Sequence, residues 1–367
     1  MAIPEVLAWT REHVDATLAN AVTRADPLAI LFGLQQTPKG MLEDRNLQEA
    51  ADYIQKLVAP LQALTRLSES TGGYQLVTPV LLEHAGTAKG RSRLEKAPDK
   101  DVGKVSRAVF SLGTLSQSVI IDRQDIATNQ GKERILSFVA GKMLQQWADL
   151  YNTFANKAWT GTGSGTDWAG TKYIITDSNG TVGGISQSTY SAWRPERYTP
   201  AISSFSTNDA GPKQMADLIE KTDQEPDYAI IVTTRAIAGY WAQYNVTKAN
   251  VYGLVHANMP PKAKAMWASL GATHVAFMGL PVLKSAYVPD QHMYGIDLRH
   301  ILFKHTPAAK LEGLPANEQP YMVGPVEVGP WVRHPDRPAW QLIFEVQGAI
   351  VVDKMNCHWV ITQIQDA

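Results

Sequence analysis

Asp297, His300 and His305 lie close together in the segment DLRHILFKHT and belong to residue types that bind divalent metals. A zinc site usually needs two ligands on one helix face or a tight set of cysteines and histidines. The two histidines are five residues apart, and the surrounding pattern indicates a strand and a turn rather than a helix. We therefore expect no metal site in this segment.

Two other segments contain residue types found in binding or catalytic sites. GTGSGT at 161–166 is glycine-rich, but no lysine follows it and no strand precedes it, so neither common phosphate motif fits. Cys357 and His358 are adjacent in MNCHWV, which we interpret as a strand with a buried structural thiol. The chain also lacks the glycine-flanked serine motif of hydrolases. We expect no catalytic residue, no cofactor and no enzymatic activity.

The composition is that of a globular protein without a strong charge bias. Of 367 residues, 44% are hydrophobic and 19% are charged, and the formal net charge is −1. A dedicated nucleic-acid-binding protein usually has a strongly basic face, which this balance argues against. The first twenty residues lack the pattern of a secretory signal, and Cys357 is the only cysteine. We expect synthesis in a reducing cytoplasm and no association with a membrane.

The elements that would position these residues begin with an arm and a ribbon. The arm, at 1–71, includes an apolar helical stripe between 42 and 67. Residues 72–122 place two β-rich flanks around the polar segment 89–104, which predicts a long two-stranded ribbon with a charged tip. The tip has six basic and three acidic residues, and its candidate contact residues are Lys89, Arg91, Arg93 and Lys96. Two interpretations of this tip remain open. It contacts a neighbouring molecule, or it is a solvated surface loop.

The longest helical pattern runs from about Asp125 to Ala158 and predicts a rod of roughly 45–50 Å. A long glycine- and hydroxyl-rich loop follows, and its residues 180–195 read GTVGGISQSTYSAWRP. Such loops are uncommon unless they have a function. Tyr190, Trp193 and Arg194 are of types enriched at interface centres, so we consider them candidate contacts between subunits. The alternative is that Trp193 fills the core of its own subunit.

The order of the parts resembles that of a known family. An arm, a long β-hairpin, a long helix, a glycine-rich loop and an α/β region also follow one another in the major capsid proteins of tailed bacteriophages, which have the Hong Kong ninety-seven phage capsid fold. TVGGISQSTYSAWRP resembles the family segment that follows the long helix. VAFMGLPVLKSAYVPDQHMYGIDLRHI, at 275–301, resembles the family's late strand pair.

This resemblance implies an α+β fold with five parts. It also implies that the loop between Tyr244 and Pro261 faces a symmetry axis. The implied parts are an N-terminal arm and helix at 1–71, an extended β-hairpin loop at 72–122, a peripheral domain with a spine helix at 123–211, an axial domain at 212–340, and returning strands of the peripheral domain at 341–367.

The resemblance also implies a structural protein that assembles as pentamers and hexamers into an icosahedral shell around a phage genome. The implied partners are further copies of the chain, portal, scaffold or decoration proteins, and double-stranded DNA through weak non-specific contacts. The implied location is the virion, after assembly in the bacterial cytoplasm. Two rivals remain: an encapsulin-like shell, and a soluble α/β enzyme such as a transferase, which would need a pocket with converging polar groups.

Overall fold

The computed structural model describes residues 67–69, 75–83, 104–128, 132–198, 205, 209–222, 224, 229–240, 276–278, 280–307, 320–323, 325–329 and 332–365. The predictions for the arm before residue 67, for the charged tip and for the loop at 244–261 lie outside these residues.

Strands make up most of the regular structure in the described residues. In chain order they are β1 (Leu67–Glu69), β2 (Gln75–Glu83), β3 (Lys104–Ser111), β4 (Gly113–Asp122), β5 (Thr181–Val182), β6 (Ile185–Ser186), β7 (Glu196–Tyr198), β8 (Ala229–Thr233), β9 (Ala276–Phe277), β10 (Leu280–Lys284), β11 (Met293–Asp297), β12 (Ile301–His305), β13 (Tyr321–Val323), β14 (Val326–Val328), β15 (Val332–Arg333), β16 (Ala339–Val352) and β17 (Trp359–Ile361). The helices with both ends in the described residues are α1 (Arg123–Thr128), α2 (Lys132–Thr160), α3 (Thr171–Ile174) and α4 (Ala210–Lys221), with a 3₁₀ turn at Ser191–Trp193. Residues 235–240 are also helical.

The strands form two large sheets. A seven-stranded sheet has the order β1-β12-β16-β14-β13, with β4 and β15 also paired to β16. A six-stranded sheet has the order β7-β17-β11-β8-β10-β9 and mixes parallel and antiparallel pairs. Together with the helices, these sheets confirm the predicted α+β class.

Helix α2 is the long helix that the apolar pattern predicts. Its buried side chains recur at alternating spacings of three and one and so form one stripe: Trp147, Leu150, Tyr151, Phe154, Ala155, Ala158 and Trp159. Its 29 residues correspond to about 43 Å, slightly shorter than the predicted rod because α1 is a separate helix that ends at Thr128. Gly161 follows the helix, where a Cβ atom would lie 2.4 Å from the backbone oxygen of Trp168. Only glycine fits this close approach.

The stripe of α2 packs on both sheets through aromatic rings. Trp147 meets Phe344 of β16 edge-on at 5.5 Å, and Phe154 meets Phe303 of β12 at 5.2 Å. Near the end of the helix, Trp159 lies 5.4 Å from Tyr294 of β11 in the six-stranded sheet. One hydrophobic core therefore runs along the helix and spans the junction of the two sheets. A second core lies between α4 and the other face of the six-stranded sheet.

The described strands of the predicted ribbon at 72–122 do not all pair with one another. Only β2 and β3 pair as a two-stranded ribbon, whereas β4 pairs with β16 from Gly113–Gly348 to Asp122–Ala339. The change of partner occurs at Gly113, where a Cβ atom would lie 2.3 Å from the backbone nitrogen of Trp168. The next residue, Thr114, donates its backbone N–H to the oxygen of Thr166 at 2.8 Å. The loop at 161–170 thus crosses over Gly113 and separates the ribbon from the sheet.

The end of the chain contributes two strands and a partly buried turn between them. The strand β16 begins at Ala339 and ends at Val352, but β17 pairs with β11 and β7 in the six-stranded sheet. The segment 341–367 therefore contributes strands to both sheets, and its assignment to a peripheral domain stays a prediction. Cys357 is buried, as predicted, but it lies in the turn before β17 and not in a strand.

Among the described residues, no helix is long and apolar enough to cross a membrane.

Candidate assembly surfaces and a buried polar cluster

The glycine-rich segment forms a tight hairpin that packs on the ribbon. Strands β5 and β6 pair on either side of Gly183 and Gly184, whose φ angles are 60° and 78°. Positive φ at both central residues defines a type I′ turn, which favours glycine. The backbone oxygen of Gly183 accepts a hydrogen bond from the N–H of Val109 at 2.9 Å. A Cβ atom on Gly183 would lie 2.9 Å from the Cβ atom of Ala108.

The core alternative for Trp193 fits the structure, and the subunit-contact interpretation is wrong for this residue. Its side chain has 0% exposure and belongs to the core along α2. The indole Nε1 donates to the backbone oxygen of Val182 at 3.0 Å, which satisfies the polar group of the ring within its own chain. A side chain without exposed surface cannot contact a neighbouring subunit directly.

Tyr190 and Arg194 differ from Trp193 because both are partly exposed. Tyr190 packs against the core beside Trp193, whereas Arg194 extends the chain toward β7. These two residues keep surface that another molecule could contact, and their role as contacts stays a prediction. The other four candidates, in the charged tip, lie outside the described residues.

The sequence analysis did not identify Gln187, a buried residue that joins the two ends of the β5–β6 hairpin. The residue has 0% exposure, its backbone N–H donates to the oxygen of Gly180 at 2.9 Å, and its Oε1 accepts the N–H of Gly180 at 3.3 Å. This pair of hydrogen bonds fixes the ends of the hairpin. A glutamine within a polar, glycine-rich stretch gives no sequence signal of burial.

The two faces of the ribbon have different environments. Leu76, Val80 and Leu82 alternate along β2 and are buried, together with Ala108 and Phe110 of β3. The outward side chains include Val77 and Leu81 of β2, which are 50% and 49% exposed, and Val105 of β3, which is 72% exposed. Leu81 pairs directly with Val105 across the two strands. We call this apolar outward side of β2 and β3 the outer ribbon face.

The seven-stranded sheet has a second exposed apolar surface. Val332 of β15 is 46% exposed and pairs with Gln341 of β16, which places it on the same sheet face as Ile343, 38% exposed. Trp340 is 50% exposed on the opposite face. We call Val332 and Ile343 the sheet patch.

The glycines of GTGSGT serve the chain's own packing. The loop returns across itself in an isolated bridge between Thr162 and Ala169, and Lys157 of α2 forms a 2.6 Å ion pair with Asp167. This pair is partly exposed, so its own contribution to stability is about 0–1 kcal/mol. The loop packs against Gly113 and against the last turn of α2. Its glycines are explained by these contacts, without a bound phosphate.

One described cavity bears on the enzyme alternative. It has a volume of about 540 Å³ and lies beyond the carboxyl ends of β8 and β10, lined by Thr234, Arg235, Ser285, Tyr287 and Asp290 among others. Several of its polar groups act within the fold. The Tyr287 hydroxyl donates to Asn152 of α2 at 2.8 Å, and Ser285 Oγ accepts the N–H of Tyr287 at 3.1 Å. These contacts attach the six-stranded sheet to α2.

A buried polar cluster occupies the turns that join the two sheets. Asp297 is buried at the end of β11, and Arg299 binds its carboxylate, with the shortest distance, 2.6 Å, between the guanidinium and Oδ2. Burial alone raises the pKa of this carboxyl, but the hydrogen bonds from Arg299 outweigh burial, and the pKa lies below its usual value. Nδ1 of His300 lies 2.9 Å from Oδ1 of Asp353. Asp297 is therefore ionised at neutral pH.

Cys357 and His358 complete this cluster from the loop before β17. Burial raises the pKa of the Cys357 thiol above its usual value, so the sulfur is protonated at neutral pH. Burial lowers the pKa of His358 to about 4, and the ring is neutral. Its Nδ1 accepts the backbone N–H of Asp297 at 3.2 Å, whereas the buried Nε2 has no hydrogen-bond partner. The sequence analysis considered Asp297, His300 and His305 as metal ligands. In the structure, Asp297 and His300 lie near Cys357, which is distant in the sequence, and His305 is not part of this group.

The comparisons with known proteins give a clear result for the fold. No protein-family model and no curated protein matches the sequence. A chain of the cyanophage A-1(L) capsid asymmetric unit matches with a TM-score of 0.64 at 15% identity, covering 84% of this chain and 93% of that chain. The capsid of a native GTA particle matches with a TM-score of 0.55 at 12% identity, covering 84% of this chain and 90% of that chain.

A third structure agrees with these two. The capsid of cyanophage P-SCSP1u matches with a TM-score of 0.50 at 10% identity, covering 83% of this chain and 87% of that chain. At such low identities the likeness concerns the fold, and it extends over most of both chains. The chain has the α+β fold of phage capsid proteins, as its sequence predicts.

Proposed function

We propose that this chain is a structural major capsid protein, which self-assembles into the icosahedral shell around the genome of a tailed bacteriophage. The observation that supports this most strongly is the fold likeness to a cyanophage capsid chain over 84% of this chain and 93% of that chain. The glycine loops and the long helix are explained by packing within the chain, and they require no catalytic role.

The outer ribbon face is the surface we propose for contact between subunits. A two-stranded ribbon is at best marginally stable alone, and its outward valines and leucine would remain in water in a single chain. Val105 is 72% exposed, opposite Leu81 at 49%. Burying apolar surface contributes about 25 cal/mol per Å², so covering this face favours association.

The sheet patch is the surface we propose for the receiving subunit. A ring of identical chains needs two different surfaces that fit each other, one on each side of every subunit. The outer ribbon face and the sheet patch are both apolar, exposed and located on different elements. The basic tip, with Lys89, Arg91, Arg93 and Lys96, would add exposed ion pairs to a neighbour, each worth about 0–1 kcal/mol.

The remaining parts of the proposal concern partners and location. The subunits form pentamers and hexamers in the virion, after assembly in the bacterial cytoplasm, together with portal, scaffold or decoration proteins. The net charge of −1 fits weak, non-specific contact with the packaged DNA rather than tight binding. The protein is not an enzyme and needs no cofactor for catalysis.

Purification of the full-length chain after expression in bacteria tests this proposal. We expect particles of megadalton mass in size-exclusion chromatography with light scattering, and closed shells or five- and six-membered rings in electron micrographs. Nuclease-protected DNA in particles from phage-producing cells would support the capsid, whereas a co-purified cargo enzyme would favour the encapsulin alternative. A chain that stays monomeric across concentrations and assembly conditions would contradict both kinds of shell.

A further inference from the structure

Two of the connections between the large sheets meet at the buried polar cluster. The turn after β11 connects the six-stranded to the seven-stranded sheet, and the loop after β16 leads back to β17. Asp297 and His300 belong to the first connection, and Cys357 belongs to the second. A carboxylate oxygen, an imidazole nitrogen and the Cys357 sulfur lie within 4.8 Å of one another. We call these three residues the crossover triad.

The donor set of the triad selects one class of metal. Cysteine sulfur and histidine nitrogen together favour Zn²⁺ and similar transition metals over Mg²⁺ and Ca²⁺, which prefer oxygen ligands. Bonds of about 2.0–2.3 Å in a tetrahedral site place neighbouring ligand atoms about 3.5 Å apart. The separations in the structure exceed this by little more than 1 Å at most. His300 and Cys357 lie in turns, where such a movement disrupts no strand pairing.

The surroundings of the triad resemble those of metal ligands in two respects. The carboxylate of Asp353 lies 2.9 Å from Nδ1 of His300, and outer carboxylates of this kind commonly orient metal-binding histidines. The neighbouring His358 is fully buried, and its Nε2 has no hydrogen-bond partner. The three triad residues themselves have partners in the metal-free chain, including a 3.2 Å hydrogen bond from the Cys357 sulfur to the backbone oxygen of Lys354, so the unpartnered nitrogen belongs to a neighbour of the triad.

We propose that the crossover triad binds a divalent transition metal of the Zn²⁺ class, which joins the two inter-sheet connections. The Asp297 carboxylate, one His300 ring nitrogen and the Cys357 sulfur are the protein ligands, and water takes the fourth position. A sulfur–metal bond forms as the S–H bond breaks, and the proton leaves to solvent. Arg299 donates to both carboxylate oxygens in the metal-free chain, so one of these oxygens gives up its hydrogen bonds from Arg299 when it binds the metal.

Metal binding to the purified, tag-free full-length chain tests this proposal with ZnCl₂ and CoCl₂ as probes. After dialysis, we expect about one Zn²⁺ per chain by elemental analysis and a raised thermal midpoint, because the metal binds only the folded state. With Co²⁺, we expect near-ultraviolet charge-transfer bands, which require a thiolate ligand. Wild-type protein without bound Zn²⁺, or with Co²⁺ bound but without these bands, would overturn the proposal.

Matched variants assign the ligands. Cys357→Ser and His300→Ala should lower Zn²⁺ affinity at least tenfold, and Asp353→Asn should lower it about 10–100-fold by releasing the histidine ring. His334→Ala, at a partly exposed histidine outside the triad, should leave the affinity unchanged. An equal loss in His334→Ala, or full Zn²⁺ binding by both Cys357→Ser and His300→Ala, would contradict the assignment. The charge-transfer bands of wild-type protein keep the test valid if a variant fails to fold.

Discussion

The hairpin at 180–187 and the ribbon β2–β3 contact each other, but they differ in where their apolar side chains lie. The hairpin sends Val182 and Ile185 into the core, and Trp193 follows them with 0% exposure. The ribbon buries one face and leaves the other exposed, with Val105 at 72%. The predicted contacts between subunits were the tip of the ribbon and, just after the hairpin, Tyr190, Trp193 and Arg194. Of these two regions, the ribbon is the one whose described strands keep an apolar surface that a neighbour could cover.

This difference shows that residue type and burial pattern carry different information. Trp, Tyr and Arg are enriched in interfaces, but a tryptophan whose Nε1 finds a partner inside its chain also fits a core. Alternation in a strand gives two faces, and apolar residues on both faces require two apolar environments. The chain's own core supplies one of them along β2 and β3. The second environment has to come from another surface.

The largest effect on the single chain is expected for Trp193→Ala. It removes a fully buried indole and its hydrogen bond to Val182, so we expect a loss of about 3–5 kcal/mol in the free energy of unfolding. Chemical denaturation of unassembled chains measures this loss. Trp340→Ala is the control, since that side chain is 50% exposed and should cost less than half as much. If Trp193→Ala retains wild-type stability but does not assemble, Trp193 is an interface residue after all.

Gly183→Ala should have the next largest effect and tests the contact between hairpin and ribbon. Positive φ costs a non-glycine residue about 1–2 kcal/mol, and this applies to both glycines of the turn. At Gly183 the added methyl group also meets Ala108 at 2.9 Å, whereas the space around Gly184 is open. We expect Gly183→Ala to be less stable than Gly184→Ala by about 1–3 kcal/mol in the same denaturation assay. Equal losses would show that the ribbon does not pack on this turn.

Val105→Glu should have little effect on the single chain but a strong effect on assembly. The residue is 72% exposed, so the free energy of unfolding should change by no more than about 0.5 kcal/mol. A charge on the outer ribbon face would be buried without a partner in the proposed contact, and shells should fail to form. Light scattering and electron microscopy measure assembly. Gln145→Glu adds the same charge at an exposed site of α2 and should assemble normally.

The results of these two substitutions separate two possibilities. If Val105→Glu shells form with wild-type yield and thermal resistance, the outer ribbon face is exposed in the assembly and the proposed contact is wrong. If Gln145→Glu prevents assembly to the same degree, the effect comes from added negative charge and not from the ribbon.

The smallest effect is expected for reversal of the charged tip. Arg91, Arg93 and Lys96 replaced together by glutamate should lower the salt and heat resistance of shells, because each exposed ion pair contributes only about 0–1 kcal/mol. The stability of the unassembled chain should not change. Thermal denaturation of shells at low and high salt measures the difference, which should shrink as salt screens the pairs. Resistance equal to wild type at low salt would identify the tip as a solvated loop.

Local patterns in the sequence were sufficient for the longest elements and for one face of the ribbon. The spacing of apolar residues between Trp147 and Trp159 defines a single helical stripe, and the structure buries that stripe. The alternation along β2 likewise predicts a strand. In both cases the signal lies within one element, where the backbone period fixes the direction of each side chain. The order of the elements, together with the two segments that resemble the capsid family, predicted the fold that the structural comparisons confirm.

Tertiary structure alone decided how distant segments meet. Nothing local in SLGTL shows that the chain leaves the ribbon at Gly113, because the reason is the loop at 161–170 that crosses above it. The same holds for Trp193, whose indole Nε1 donates to the backbone oxygen of Val182 in β5. Asp297 and Cys357 are 60 residues apart, and their approach depends on the pairing of β11 with β17. Such contacts depend on the register and crossing of strands far apart in the chain, which no pattern within a single segment contains.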